Sequence, residues 1–202
     1  PLLIHGNAVK DKLQQSLSAE YEVFLAMRYQ NPSLDTVLAV MQKRNFDKVI
    51  VLPLFPQYAS SSTGSALERV MQIISKWYVI PELKFISQYY NSPGYIQAFA
   101  ERGRQYNLAD YDHILFSYHG LPVRQVDKVY GDSPCSEHHC EDHIDDDNKF
   151  CYKATCYETT RLIAKQLNLA PEQYSVAFQS RLDKKWLEPF SDKVVIQKAK
   201  EG

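Results

Sequence analysis

Short runs of β-branched and aromatic residues alternate with amphipathic stretches of helical spacing, and this alternation restricts the fold more than any other feature. The predicted strands are residues 23–29, 48–54, 83–86, 113–118 and 174–178, and the predicted helices are residues 33–45, 64–76, 93–106 and 157–167. This order predicts an α/β fold, a doubly wound parallel sheet with helices on both faces. Ligands bind beyond the carboxyl ends of such strands, so functional residues are expected in 55–63, 117–134 and 179–190.

The composition excludes several classes of protein. Hydrophobic residues make up 45% and charged residues 23% of the chain, which is typical of a globular protein and not of a disordered one. The formal net charge is −1, so no nucleic-acid partner is expected. No apolar run is long enough to cross a bilayer and no signal-peptide pattern opens the chain, which favours a cytoplasmic location.

A histidine lies directly after the predicted strand 113–118. His119 is followed by Gly120 and Pro122, which turn the chain away from the strand. A histidine at the end of a rigid strand is well placed to act as a base or as a metal ligand. The alternative is a structural histidine that is hydrogen-bonded within the loop.

Two further segments follow strand ends. Residues 53–65 combine aromatic and hydroxyl side chains before a helix, which suits either anion binding by backbone N–H groups or ordinary helix capping. This segment lacks the glycine spacing and the lysine of a nucleotide phosphate loop. In residues 178–189, Arg181 is suited to pair with a carboxylate and Trp186 to wall an aromatic pocket, although both are also consistent with loop packing.

Taken together, these segments resemble the ferrochelatase family. The stretches PQYxxSSTGS (56–65), FSYHGLP (116–122) and FQSR with WLEP (178–189) occur in this order in ferrochelatases, and AMRYxNPS (26–33) fits the same family. The resemblance covers essentially the whole chain. It implies a lyase that inserts Fe²⁺ into a porphyrin to form haem, with two doubly wound domains and a porphyrin cleft between them.

The resemblance also assigns roles to individual residues. His119 matches the pocket histidine of the family, which is assigned as proton acceptor, iron ligand or both. The porphyrin-facing segment is matched by Phe55, Tyr58, Ser61 and Thr63, and Arg28 and Tyr29 are expected near the cleft. The expected substrates are ferrous iron and either protoporphyrin IX or coproporphyrin III. Peripheral membrane contact is a further expectation because the porphyrin is apolar.

The same comparison predicts that the chain is an internal fragment. Residues 1–122 are expected to form most of the first α/β domain, 123–156 a cysteine-rich insertion, and 157–202 a crossover helix with the start of a truncated second domain. The acidic partner of the histidine is expected to lie beyond Gly202. We therefore expect the 202-residue polypeptide alone to be inactive.

Four cysteines form a compact cluster in the sequence. Cys135, Cys140, Cys151 and Cys156 follow the pattern C-x4-C-x10-C-x4-C. Without a secretion signal, metal or iron–sulfur ligation is favoured over disulfides, and free thiols are a further alternative. Nearby histidines could supply nitrogen ligands to zinc instead, namely His138, His139 and His143.

Some bacterial ferrochelatases are similar in this region, with a cysteine-rich insertion that holds a [2Fe–2S] cluster. The animal-type enzymes place one cluster cysteine in the hydroxyl loop, where this chain has Ser60. The resemblance therefore predicts a [2Fe–2S] cluster on the four local cysteines. One other function remains open at this stage, a non-catalytic iron–sulfur or zinc-binding module on an α/β scaffold. A cobalt chelatase shares the fold, but the FSYHGLP and FQSR segments favour iron.

Overall fold

The computed structural model describes residues 2–131 and 133–201, which form seven α-helices and four β-strands. The helices are α1 (Leu2–Ser16), α2 (Leu34–Gln42), α3 (Ser65–Ile74), α4 (Pro93–Gly103), α5 (Val123–Val126), α6 (Tyr152–Leu167) and α7 (Ser191–Glu201). The strands are β1 (Lys48–Val51), β2 (Glu82–Phe85), β3 (Ile114–His119) and β4 (Tyr174–Gln179). None of the helices in this part of the chain is long and apolar enough to cross a membrane.

The first of two compact units comprises the residues up to Pro53 together with Ser61–Ser87. Its strands β1 and β2 pair in parallel, with Lys48 opposite Glu82. Helices α2 and α3 pack together around a small core of Leu38, Val70 and Ile74. Burial of these aliphatic side chains is the main driving force for docking the two helices.

The second unit comprises Leu54–Ser60 and the chain from Gln88 onward. Strands β3 and β4 pair in parallel along their full length, from Ile114 opposite Tyr174 to His119 opposite Gln179. Parallel strands require a crossover connection, and α6 is the long helix that supplies it. Helix α6 packs against α4 and against β4. The core of this unit includes Phe178 of β4 and all four cysteines.

The α/β class is confirmed, since the strands pair in parallel and are flanked by helices. Strands β1 to β4 lie where the sequence predicts them. The Ser33 hydroxyl caps α2 as predicted, because it accepts a hydrogen bond from the Thr36 amide at 3.1 Å. Helix α6 begins at Tyr152, earlier than the predicted start at Tyr157, and α4 ends at Gly103, before the predicted end at Tyr106.

The predicted strand at residues 23–29 is wrong. In the described part of the chain this segment pairs with no strand and makes only an isolated bridge between Met27 and Ser33. The Met27 amide donates to the Pro32 carbonyl at 2.7 Å, and the Leu34 amide donates to the Met27 carbonyl at 3.2 Å. The Val23 amide donates to the Gln14 side chain at 2.8 Å. The turn after Tyr29 therefore satisfies the groups that a neighbouring strand would have satisfied.

Candidate active site and cysteine group

His119 is the last residue of β3, and its side chain is exposed. The next residue, Gly120, is buried and its amide donates a 2.7 Å hydrogen bond to the Gln179 carbonyl at the end of β4. The parallel pairing therefore extends one residue beyond His119. The histidine backbone is fixed by the sheet while the imidazole remains accessible, as the sequence predicts for a base or a ligand.

The segment that carries Trp186 runs alongside the HGLP segment. Pro122 and Trp186 form an antiparallel bridge, which is flanked by hydrogen bonds from the Val123 amide to the Lys185 carbonyl (2.9 Å) and from the Leu187 amide to the Leu121 carbonyl (2.8 Å). The indole meets the His119 ring edge-on, with 6.4 Å between ring centroids. The structure thus brings together two of the segments that the sequence analysis selected separately.

Tyr152, at the start of α6, also contacts His119. Its hydroxyl donates a 2.9 Å hydrogen bond to the His119 carbonyl. Burial raises the pKa of Tyr152 above its ordinary value, so the phenol stays protonated and remains a donor at neutral pH. The sequence analysis missed this residue, and no local pattern signals the contact, since 33 positions separate the partners.

Arg181 finds its carboxylate partner within the chain. Its guanidinium donates two hydrogen bonds to Asp192 in α7, at 2.8 and 3.1 Å, and it lies over the Phe190 ring at 4.1 Å from the centroid. Ser180, directly before it, has a φ of 63°, in the left-handed region. Arg181 is therefore held by a bidentate ion pair and an aromatic face, in agreement with the sequence prediction of a carboxylate partner.

The residues predicted to face a porphyrin are divided between the two compact units. Phe55 is 47% exposed, and the half-buried Tyr58 packs edge-on against Phe150 at 6.3 Å. Ser61 is exposed in a short π-helical turn, Ser60–Gly64, directly before α3. Thr63 in the same turn is fully buried, and its hydroxyl has no hydrogen-bond partner among the described residues.

Arg28 and Tyr29 converge on the first residue of α3. The Arg28 Nε donates to the Ser65 carbonyl at 3.1 Å and to its hydroxyl at 3.0 Å, and the Tyr29 hydroxyl lies 2.9 Å from the same Ser65 Oγ. The guanidinium also lies 4.5 Å from the centroid of the Tyr29 ring. A cation and two hydroxyls are thereby held together beside the hydroxyl-rich turn. Ser65, which joins them, was not selected from the sequence.

Three of the four cysteines form a group. The Sγ atoms of Cys135, Cys140 and Cys151 all lie within 4.8 Å of one another, and all three residues are buried. Cys151 caps the N-terminus of α6. Hydrogen bonds from the neighbouring thiols, and from the amide of Ala154, hold the pKa of Cys151 far below its ordinary value. The three buried sulfurs are close enough together to converge on one thiophilic ion.

Comparison with known proteins decides the family. A family model described as ferrochelatase matches residues 1–202, the whole chain. The chain belongs to the ferrochelatase family. It is 42% identical over 203 residues to the ferrochelatase of Legionella pneumophila strain Paris and 41% identical over 210 residues to that of Coxiella burnetii strain RSA 493 / Nine Mile phase I. These alignments cover 100% of the chain but 60% and 57% of the two relatives, so the chain spans about three fifths of their length.

Membership of the ferrochelatase family does not favour the alternative of a non-catalytic metal-binding module. The family match extends over both compact units. It therefore includes the exposed His119 and the Trp186 segment beside it, and not only the cysteine-rich part of the chain.

The cysteine group could bind a metal, but its geometry does not fit the predicted [2Fe–2S] cluster. Such a cluster takes four thiolates, two on each iron. The structure brings three together, and Cys156 is not part of the group. The structure therefore supports a cysteine group that could bind a metal, and it does not support the predicted cluster on all four cysteines.

The three histidines near the cysteines line a cavity of about 480 Å³ together with Cys140 and Asp145. His138 stacks on the Tyr130 ring at 3.7 Å, and His143 Nε2 lies 3.2 Å from an Asp145 carboxylate oxygen. His139 completes the histidine lining. The cavity borders the thiol group at Cys140. Among the described residues, the three thiols are the only set of ligand atoms close enough together to hold one ion.

Proposed function

We propose that the protein carrying this chain inserts Fe²⁺ into a porphyrin, either protoporphyrin IX or coproporphyrin III, and releases haem. The observation that carries the proposal is the exposed imidazole of His119 at the end of β3, held between the β4 strand end and Trp186. The named ferrochelatases of Legionella and Coxiella support it. Iron is favoured over cobalt because both of these relatives are named ferrochelatases.

Metallation of a porphyrin removes two pyrrole protons and strips water from the ferrous ion. A neutral imidazole nitrogen can accept a proton or bind iron, but one lone pair cannot do both at once. We therefore assign His119 successive roles: its free nitrogen accepts one pyrrole proton and releases it to solvent, accepts and releases the second in the same way, and between these transfers is available as an iron ligand. The sheet and the Tyr152 hydroxyl hold its backbone, so little reorganisation is needed between the two states.

The substrate-facing roles remain part of the proposal. Phe55 and Tyr58 offer aromatic surface for a macrocycle, and Ser61 offers an exposed hydroxyl from the turn before α3. Thr63 is buried in that turn, so we assign it to supporting the turn from within. Arg28, with Tyr29 and Ser65, provides a cation and hydroxyl groups that suit the carboxylates of porphyrin side chains. The proposal also places the protein in the cytoplasm. It includes peripheral contact with a membrane, because the porphyrin is apolar.

The remaining domain assignments are proposals of the same kind. Residues 1–122 are assigned to most of the first α/β domain, 123–156 to a cysteine-rich insertion, and 157–202 to the crossover helix and the start of the second domain. In the structure β3 of the first range pairs with β4 of the third, so parts of these two ranges share one compact unit. Because the chain spans about three fifths of its relatives' length, we expect the 202-residue polypeptide to form no haem alone.

A chimera tests the activity. The matching segment of the Legionella ferrochelatase is replaced by this chain, and haem formation is measured without oxygen from Fe²⁺ and each porphyrin. We expect the chimera to form haem and to prefer Fe²⁺ over Co²⁺. A folded chimera that binds porphyrin but inserts no iron would refute the proposal, and a faster reaction with Co²⁺ would assign it to cobalt.

The 202-residue polypeptide provides the control. Its far-ultraviolet circular dichroism establishes that it is folded, and the same assay is then run at equal concentration. Haem formation by this polypeptide would contradict the expected inactivity while supporting the chelatase function itself.

A further inference from the structure

The three grouped thiols come from different parts of the cysteine-rich segment. Cys135 begins a short 3₁₀ turn, Cys140 lies in the next turn, and Cys151 caps α6. Their relative exposures are 4%, 1% and 0%, so none of them is in contact with bulk solvent. The fold has therefore brought three metal-binding side chains from separate backbone segments into one buried place. Three thiolates with one nitrogen ligand are one of the ligand sets of structural zinc sites.

Cys156 lies elsewhere in the same unit. It lies within α6, whereas Cys151 is at the N-cap position with an extended backbone, and Cys156 is not among the sulfurs that lie within 4.8 Å of one another. The Cys156 side chain is fully buried, and its sulfur interacts with the Tyr152 hydroxyl. Burial raises the pKa of Cys156, so it remains a neutral thiol beside tyrosines.

The separation of the three sulfurs distinguishes one ion from two. Two thiolates bound tetrahedrally to one ion at about 2.3 Å lie roughly 3.8 Å apart, well within the 4.8 Å limit for this group. In a two-iron cluster, three thiolates cannot all bind the same iron. At least two of the three pairs then span different irons, and the iron–iron distance adds to their separation. A site with a single ion requires all three sulfur–sulfur distances to be short.

Other groups around the thiols suit a bound cation. The Tyr130 hydroxyl is buried, and it interacts with the side chain of Cys151. A phenol in this position is available to donate to a ligating thiolate, which is a typical supporting contact at metal sites. Cys140 borders the histidine-lined cavity, so a fourth coordination position can open toward it.

We propose that Cys135, Cys140 and Cys151 bind a single divalent thiophilic ion, zinc or ferrous iron, and that Cys156 is not one of its ligands. The fourth position is taken from the side of the cavity, by a histidine or by water. This site is separate from His119 and does not depend on the proposed chelatase activity, since it follows from the cysteine geometry alone.

The 202-residue chain itself is used for the test. It is purified without oxygen and analysed for metal and acid-labile sulfide as isolated. A second portion is stripped of metal under reducing conditions and titrated with Zn²⁺, with Fe²⁺, and with Fe²⁺ together with sulfide. We expect one ion per chain, no acid-labile sulfide, and an X-ray absorption spectrum with a three-sulfur shell and no metal–metal scattering. Two irons with two sulfides, metal–metal scattering, or no binding of either ion would overturn the proposal.

Two serine variants identify the ligands. Cys156→Ser is expected to keep one zinc per chain with an affinity within about threefold of the unchanged chain. Cys151→Ser is expected to lose about 100-fold or more, since even supporting contacts are worth 10- to 100-fold. Equal losses in both variants would show a four-thiolate site. If Cys156→Ser fails to fold, the absorption spectrum of the unchanged chain still decides between one ion and two.

Discussion

Gly120 is the residue whose replacement should most directly disturb the position of His119. An alanine Cβ at this place would lie 2.9 Å from the Gln179 carbonyl oxygen and 3.3 Å from Cε3 of Trp186. The first neighbour is backbone and cannot rotate away. The same carbonyl also accepts the 2.7 Å hydrogen bond from the Gly120 amide, so relief of the clash would stretch the end of the β3–β4 pairing.

We therefore expect Gly120→Ala to lower the free energy of unfolding by about 1–3 kcal/mol, the usual cost of adding a methyl group to a closely packed place. For a chain of this size the melting temperature should fall by roughly 2–12 °C. The assay is urea and thermal unfolding of the chain, followed by far-ultraviolet circular dichroism.

Gly94 provides the matched control in the same compact unit. It lies in the first turn of α4, and an added Cβ meets nothing within 4 Å. Gly94→Ala should leave stability unchanged or raise it by up to about 1 kcal/mol, because alanine favours the helix. Equal stability of the two alanine variants would refute the reasoning about Gly120.

Three further predictions concern single side chains. Tyr152→Phe should shift the backbone carbonyl resonance of His119 and cost about 1 kcal/mol of stability, and an unchanged carbonyl resonance would contradict the contact. Gln57→Ala should cost about 1–3 kcal/mol in urea unfolding, because its buried amide donates to the Thr159 hydroxyl at 2.9 Å. Burial lowers the pKa of His113 below 6.5, so its contribution to stability is complete above pH 6.5 and is lost as the pH falls through the lower folded-state pKa. His113→Gln should therefore weaken the dependence of the free energy of unfolding on pH over that interval. An unchanged pH dependence would contradict the prediction.

The sequence was most informative where the determinants are local. The apolar runs at β1 to β4 and the Ser33 cap follow from side-chain pattern and capping chemistry, and the structure contains both. Val23–Tyr29 has the same local pattern, but its backbone groups are satisfied by the turn at Pro32. Strand formation depends on a partner, and local composition does not provide that information.

In the candidate site, too, local features were predictable from the sequence and contacts between distant residues were not. The strand-end position of His119 was predictable because a glycine and a proline follow a β-rich run. Its contact with Tyr152, and the convergence of Arg28 and Tyr29 on Ser65, join residues that are far apart in sequence. The cysteine spacing indicated a metal site. Only the structure separates Cys156, which lies within α6, from the other three thiols.

The most direct test of the proposed function is the rate of haem formation by the Legionella chimera with and without His119. His119→Ala should lower kcat by about 100-fold or more, the usual contribution of a proton acceptor, with porphyrin binding retained. His5→Ala, which removes an exposed histidine on α1, should leave the rate unchanged. A His119→Ala chimera that forms haem as fast as its His5→Ala counterpart would contradict the assignment of His119 as the catalytic residue.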